Sequence, residues 1–283
     1  ELAIAVSEAG GLGSLPCAML APDQIRTSVR SIRQRTNRPI NLNFFCHRAP
    51  VPDPVRERRW REHVARYYTE FKIDTSSSAA VPNRMPFDEI MCDTVAELQP
   101  PVISFHFGLP SPALLARVRS VGARVLSSAT TVEEAIWLEN EGCDAVIAQG
   151  CEAGGHRGMF LATDTASQIG TLALVPQIVD AIKVPVIASG GIGDARGIVA
   201  AFALGASAVQ IGSAYLLCPE SRTSAVHRRA LQKMRDDETV ITNVITGRPA
   251  RGIINRVIQE VGPMSTLTPE FPRAVEALAP LRA

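Results

Sequence analysis

The residues best suited to chemistry lie in one ten-residue stretch, QGCEAGGHRG, from Gln149 to Gly158. Four glycines surround His156 there, directly after the apolar run DAVIA. Glycine weakens strands and helices, so this density implies a backbone that something else must approach closely. An imidazole titrates near neutrality, at about 6.5 when unperturbed, so His156 can either take or give a proton. A histidine set among glycines just past a strand reads as a catalytic or substrate-contacting group rather than a core residue. Gly154 and Gly155 would then let backbone lie against a flat ring, with His156 projecting over it. Glu152 and Arg157 read as hydrogen-bond or salt-bridge partners that hold the stretch.

Two further glycine turns follow. ASGGIGDARG puts Gly190 and Gly191 at the end of an apolar run, with Asp194 positioned to cap the next helix. VQIGSAY repeats the arrangement with Gly212 and Ser213. Such turns either tighten the chain or offer backbone N–H groups to a phosphate, and two in succession favour the phosphate. His106, in SFHFGLP, stands at another strand end and is a candidate for the same pocket. His47 is a weaker candidate, and His63 and His227 read as helix surface. Asn43 and Gln149 are amides in otherwise apolar runs, where an unpaired amide is costly. Each is therefore expected to bond a ligand or a neighbouring strand end.

The elements that must position these residues alternate along the chain. Short apolar runs (GLGSLP, PINLNFFC, PVISFHFG, ARVLSSA, DAVIAQG, VPVIASG and SAVQIGSAY) read as strands. Helical patterns lie between them, several ended by a glycine: Gly122, Gly142 and Gly205. Strands that are apolar almost throughout, each followed by a helix, indicate a parallel sheet covered by helices. Units of about 22 to 30 residues suit a (β/α)8 TIM barrel, in which active sites sit at the C-terminal strand ends. A doubly wound sheet fits less well, because no G-x-G-x-x-G follows an early strand. Seven strands are visible where a barrel needs eight, so the first is expected to lie before residue 1. The whole of 1–283 is expected to form one domain, with an insertion at about 47–86 and an irregular, proline-rich tail from about 262.

The bulk composition narrows the class of function. Lys+Arg number 29 against Asp+Glu 28, a formal net charge of +1, which gives no electrostatic case for nucleic acid or an anionic membrane. The basic run RERRWREHVARYY alternates signs at helical spacing and reads as a solvated helix face. No apolar stretch is long enough for a membrane span, and the front does not resemble a signal peptide. The six cysteines form no C-x-x-C pair and no Cys/His spacing that suits zinc. Most lie in apolar runs and read as small hydrophobes, which favours a reducing, cytoplasmic setting.

Taken together, NLNFFCHR, SFHFGLP, LSSATT, AQGCEAGGHRG, ASGGIGDARG and VQIGSAYLLCPES resemble nitronate monooxygenase, formerly called 2-nitropropane dioxygenase. The resemblance runs from residue 1 to about 260. EAGGHRG with SFHFG resembles the first class of that family rather than the related quinone or enoyl reductases. It implies an FMN cofactor and no metal, a nitronate or nitroalkane substrate and O2, with oxidation to a carbonyl compound and nitrite. Asn43, Gln149, Gly154, Gly191 and the run Gln210, Ile211, Gly212, Ser213 match the family's flavin contacts, and His156 its catalytic histidine. Gly155, beside Gly154, and Gly190, beside Gly191, join the cofactor set. The family's opening strand and the C-terminal segment that closes over its cofactor are missing from this sequence, and Ser213 stands where many relatives have threonine. A reductase on the same scaffold and a non-redox phosphate-binding barrel are the alternatives, and a homodimer is left open.

Overall fold

Strands that alternate their side chains between two apolar layers must be covered on both faces, and the chain folds accordingly. The computed structural model describes residues 1–74 and 84–282. Helix α1 (Leu2–Glu8) leads into β1 (Gly13–Pro16), and α2 (Pro22–Arg33) into β2 (Ile40–Phe45). Helices α3 (Pro54–Glu70) and α4 (Glu89–Leu98) separate β2 from β3 (Val102–His106). Then follow α5 (Pro112–Ser120), β4 (Arg124–Ala129), α6 (Val132–Asn140), β5 (Ala145–Gln149), the two-residue β6 (Gly155–His156), α7 (Thr171–Ala181), β7 (Val186–Ser189), α8 (Ala195–Ala203) and β8 (Ala208–Gln210). The remainder holds α9 (Ala225–Lys233), β9 (Thr239–Thr242), β10 (Ala250–Ile253), α10 (Arg256–Val261) and α11 (Ala274–Leu278).

The chain divides into two units. The first comprises residues 1–48, 84–153 and 158–232, and the second 49–83, 154–157 and 233–283. In the first unit, seven strands in the order β1-β2-β3-β4-β5-β7-β8 form one sheet in which every neighbouring pair is parallel. This curled, helix-covered sheet is the half-barrel of a TIM-barrel-like fold. All seven expected strands are present, with one shortened. SAVQIGSAY pairs only over Ala208–Gln210, and Ser213–Leu217 is a 3₁₀ turn. The glycines expected to end helices do so with left-handed backbone: φ is 83° at Gly122, 88° at Gly142 and 94° at Gly205.

Helix starts are set by capping side chains. Ser111, Thr131 and Asp194 each accept a backbone N–H of the first turn of α5, α6 and α8. Ile103, Phe105, Val125, Val146, Ala148 and Ala188 face the helices and form one large core with Ile25, Leu138 and Leu174. A second cluster, Leu126, Ala145 and Ile147, lies on the other face of the same strands. Of the cysteines, Cys17, Cys92 and Cys143 are buried, and burial pushes the thiols of Cys17 and Cys143 up to about 12. Among the described residues, no helix is long and apolar enough to cross a membrane.

The second unit departs from the sequence expectation. The basic helix α3 keeps the solvated face expected of it and also buries Trp60, Val64 and Tyr67 along one stripe. They pack with Val244, Ala277 and Leu278, and the Trp60 indole donates to the Ala274 carbonyl at 3.1 Å. The tail from 262, expected to be irregular, contains α11 and shares this core. His63, expected on the surface, is half-buried and stacks on Trp60 with ring centroids 6.0 Å apart, whereas His227 is exposed as expected. Residues 75–83 of the loose DTSSSAAVPNRMP stretch lie outside the described residues.

One buried charge fastens the first unit. Glu134 is 0% exposed, and one carboxylate oxygen accepts from the Thr130 N–H and hydroxyl, each at 2.7 Å. The other accepts from the N–H groups of Phe160 at 2.6 Å and Leu161 at 3.0 Å. The start of α6 is thereby tied to the chain that follows His156. Glu134→Gln removes the charge and turns one acceptor into a donor facing N–H groups. Hydrogen bonds to charged groups are worth about 1.5–3 kcal/mol each, so the variant should lose about 3 kcal/mol of stability in denaturant unfolding. An unchanged unfolding midpoint would show that these bonds contribute nothing net.

Candidate functional site

The parallel register puts most polar residues of the first unit's strands on one face and towards one end. Phe44, Phe105, Val146 and Ala188 point to the helices, so their sequence neighbours point to the interior of the curl. Along that inner face the character changes. Leu126, Ala145 and Ile147 form an apolar floor with Val102 and Ile187. Above it stand Asn43, Ser104, His106, Ser128, Gln149, Ser189 and Gln210. Register pairs Asn43 with Ser104, Gln149 with Ser189, and Ser189 with Gln210. Three of the proposed contacts (Asn43, Gln149 and Gln210) and His106 therefore share the C-terminal end of the inner face.

The two amides are partly engaged by the protein. The Asn43 amide donates to the Ser104 hydroxyl at 2.8 Å, a neighbouring strand as the sequence allowed. The Gln149 carbonyl oxygen accepts from the Gly158 N–H at 2.7 Å and holds the chain after β5. His106 Nδ1 lies 3.1 Å from the Ser128 hydroxyl. Beside it, Phe107 has φ 72°, a left-handed backbone rarely adopted by a bulky side chain. The Ser127 hydroxyl braces this turn by donating to the Gly108 carbonyl at 2.9 Å. Such strain clusters at functional sites, and no sequence signal announces it. His47 is buried, with its ring 6.1 Å from that of Phe107.

The glycines of the central stretch have separate causes. A Cβ on Gly150 would lie 2.0 Å from the Thr171 hydroxyl, and one on Gly158 would lie 3.0 Å from the His106 ring. Gly158 is required by the protein's own packing, against Ser128 and the His106 ring. Gly155 has φ +81° with open space at its Cβ position. Glu152 holds the stretch as expected: its carboxylate accepts from the Thr171 N–H at 2.9 Å and the Thr171 hydroxyl at 2.9 Å. Arg157 is 0% exposed.

At the ends of β7 and β8 the two glycine turns differ. A Cβ on Gly190 would meet the Thr171 hydroxyl at 2.8 Å, so internal packing accounts for that glycine. Gly191 has φ +68° and is exposed. A Cβ on Gly212 would meet nothing within 4 Å. The backbone N–H groups of Gly191, Gly212 and Ser213 donate to no acceptor among the described residues. A Cβ on Gly191 would touch the Glu152 side chain at 3.5 Å, so the open space lies at Gly212; with the undirected N–H donors of both strand ends it forms a cradle suited to a phosphate. Asp194 brings a negative charge nearby, but Arg196 pairs with it at 2.5 Å and holds its carboxyl below the usual range.

His156 belongs to the second unit, on a strand rather than in the loop expected. β6 and β9 flank β10 in an antiparallel sheet that pairs His156 with Ala250. The ring is half-buried, its Nε2 lies 3.0 Å from the Thr246 hydroxyl, and the Phe271 ring meets it edge-on at 5.1 Å. Gly154 and Gly155 lie in this unit, whereas Asn43, Gln149, Gly190, Gly191, Gln210, Ile211, Gly212, Ser213 and His106 lie in the first. The chain leaves the first unit after Ala153 and returns at Gly158. Thr246 and Phe271 carried no motif, because they are brought to His156 only by folding.

Comparison with known proteins agrees with the resemblance in the sequence. The chain is 42% identical over 289 residues to a nitronate monooxygenase of Pseudomonas aeruginosa, covering 99% of this chain and 81% of that protein. A solved structure of nitroalkane oxidase from Streptomyces ansochromogenes superposes with a TM-score of 0.88 at 36% identity, covering 99% of this chain and 80% of that one. FabK from Thermotoga maritima is more distant, with a TM-score of 0.68 at 29% identity over 92% of this chain and 68% of that one. The family model described as nitronate monooxygenase matches residues 1–283. The chain belongs to the nitronate monooxygenase family.

Proposed function

We propose that this protein is an FMN-dependent enzyme that oxidises alkyl nitronates, and nitroalkanes after their deprotonation, with O2 to carbonyl compounds and nitrite. Family membership supports the reaction. The observation that carries the cofactor reading is the cradle at the ends of β7 and β8, which suits a phosphate and leads onto a polar inner layer. Gly191, Gly212 and Ser213 would hold the phosphate through backbone N–H groups. Asn43, Gln149 and Gln210 would offer amides to the flavin ring system, with Ile211 and Gly190 shaping the turns and Gly154 and Gly155 passing close to it. His106 would line the substrate side. FMN, when bound, supplies the redox chemistry that links nitronate oxidation to O2 reduction.

His156 is the group that handles protons. As neutral imidazole it takes the α-proton of a nitroalkane, and as imidazolium it pairs with the oxygens of a nitronate. The cytoplasmic setting and the single-domain working of the chain belong to the same reading, as does a dimer.

Three measurements test it. The purified protein should be yellow, and anaerobic addition of a nitronate should bleach the flavin bands while NADH leaves them intact. Rapid bleaching by NADH alone would favour a reductase, and a colourless protein a non-redox barrel. His156→Asn should retain its flavin yet lose at least about a hundredfold in nitroalkane turnover, the usual scale for a lost general base. An unchanged rate would remove the base assignment. Gly212→Leu puts a side chain into the cradle at a position whose φ of −112° does not demand glycine. It should yield soluble, flavin-poor protein, and fully yellow protein would sink the phosphate site. Gly212 is a cleaner position than Gly191, where the left-handed φ would strain any side chain.

A further inference from the structure

His156 must present a lone pair to a carbon acid, and which ring nitrogen does so depends on what the other nitrogen bonds. The Thr246 side chain makes two contacts. Its Oγ1 lies 3.0 Å from His156 Nε2, and it donates to the Arg248 carbonyl oxygen at 3.2 Å. A hydroxyl has one hydrogen, and a carbonyl oxygen can only accept. With that hydrogen committed to Arg248, Oγ1 faces Nε2 with a lone pair, so Nε2 must carry the ring's hydrogen.

The surroundings leave Thr246 little freedom. It is 7% exposed and sits in the turn between β9 and β10. The Gly247 N–H donates to the Asn243 carbonyl at 2.7 Å, and a Cβ at Gly247 would lie 2.2 Å from the Pro269 carbonyl oxygen. On the other side, the Arg157 N–H donates to the Pro249 carbonyl at 2.9 Å, which ties β6 to the far arm of the same turn. The Phe271 ring, edge-on to the imidazole, limits its rotation.

We propose that Thr246 is a positioning residue that holds neutral His156 as the Nε2–H tautomer, so that Nδ1 carries the lone pair that takes the substrate's proton. The inference rests on the reading of His156 as the base. In that step the α C–H bond of the nitroalkane breaks and an Nδ1–H bond forms. The electron pair stays on the substrate, spread over the carbon and the nitro oxygens, which yields the nitronate. The imidazolium that results keeps its Nε2–H on Thr246, so the same hydroxyl supports both protonation states. A nitronate supplied ready-made skips the proton transfer and should depend on Thr246 much less.

The test is a long-range ¹H–¹⁵N correlation spectrum of the holoenzyme with labelled histidine, at about pH 8, where an imidazole of ordinary pKa is neutral. The five histidines are separated by the signal lost in His156→Asn. The expected wild-type pattern is Nε2–H. Thr246→Val should mix in the other tautomer and lower nitroalkane turnover about tenfold, the scale of one lost hydrogen bond of about 1.4 kcal/mol, while nitronate turnover stays within about twofold. Thr246→Ser, which keeps the hydroxyl, should restore both. An Nδ1–H pattern in the wild type, or an unaltered tautomer in Thr246→Val, would overturn the proposal. If Thr246→Val does not fold, the wild-type pattern and the serine variant decide. Nε2–H together with full nitroalkane activity in His156→Asn would overturn the base reading and leave the hold of Thr246 on the ring standing.

Discussion

A parallel sheet buried on both faces constrains everything else in the first unit. Each strand sends alternate side chains to opposite layers, so one residue type decides the helix-facing core and its neighbour the interior of the curl. Ile103 and Phe105 serve the first layer, Val102, Ser104 and His106 the second. The interior can afford polar atoms only where they find partners or reach an opening. Leu126, Ala145 and Ile147 therefore fill the floor, and the amides, hydroxyls and imidazole gather at the C-terminal strand ends. The location of the candidate site is a consequence of that sorting.

Two carboxylates fix the loops above this layer. Glu134 is wholly buried and satisfies backbone donors near Thr130 and at Phe160 and Leu161. Glu152 does the same for Thr171 at the start of α7. An ionised carboxylate that accepts several N–H groups is a strong and geometrically demanding partner, and removing it strands those donors. Rigid support of this kind is what a site needs if it is to hold reacting groups within fractions of an ångström. The left-handed backbone of Phe107 persists in the same region, where its surroundings over-determine it.

The second unit shows how His156 is oriented by residues distant in sequence. The chain crosses into this unit for four residues, pairs Gly155 and His156 with β10, and returns. In that brief strand, His156 meets a threonine ninety positions away and a phenylalanine from the tail. The core beneath, built on Trp60, Tyr67 and Leu278, joins an insertion and a tail that have no common pattern in the sequence.

Local physics alone determined much of this protein. Short, nearly continuous apolar runs, capping residues such as Asp194, and glycines such as Gly122 and Gly205 specify strands, helix starts and helix ends, because each acts on its own few residues. The same locality made His156 and the turns at Gly191 and Gly212 stand out, and their motifs carried the family. Only the tertiary structure decided why individual glycines are required. Gly158 yields to the ring of His106 and Gly190 to the hydroxyl of Thr171, which are neighbours no local pattern names. It also turned the expected loop at His156 into a strand, gave α3 a buried stripe, and put a helix in the expected irregular tail. Each of these depends on contacts between segments far apart in the chain, and burial against a distant partner outweighs the weak preferences that local sequence expresses.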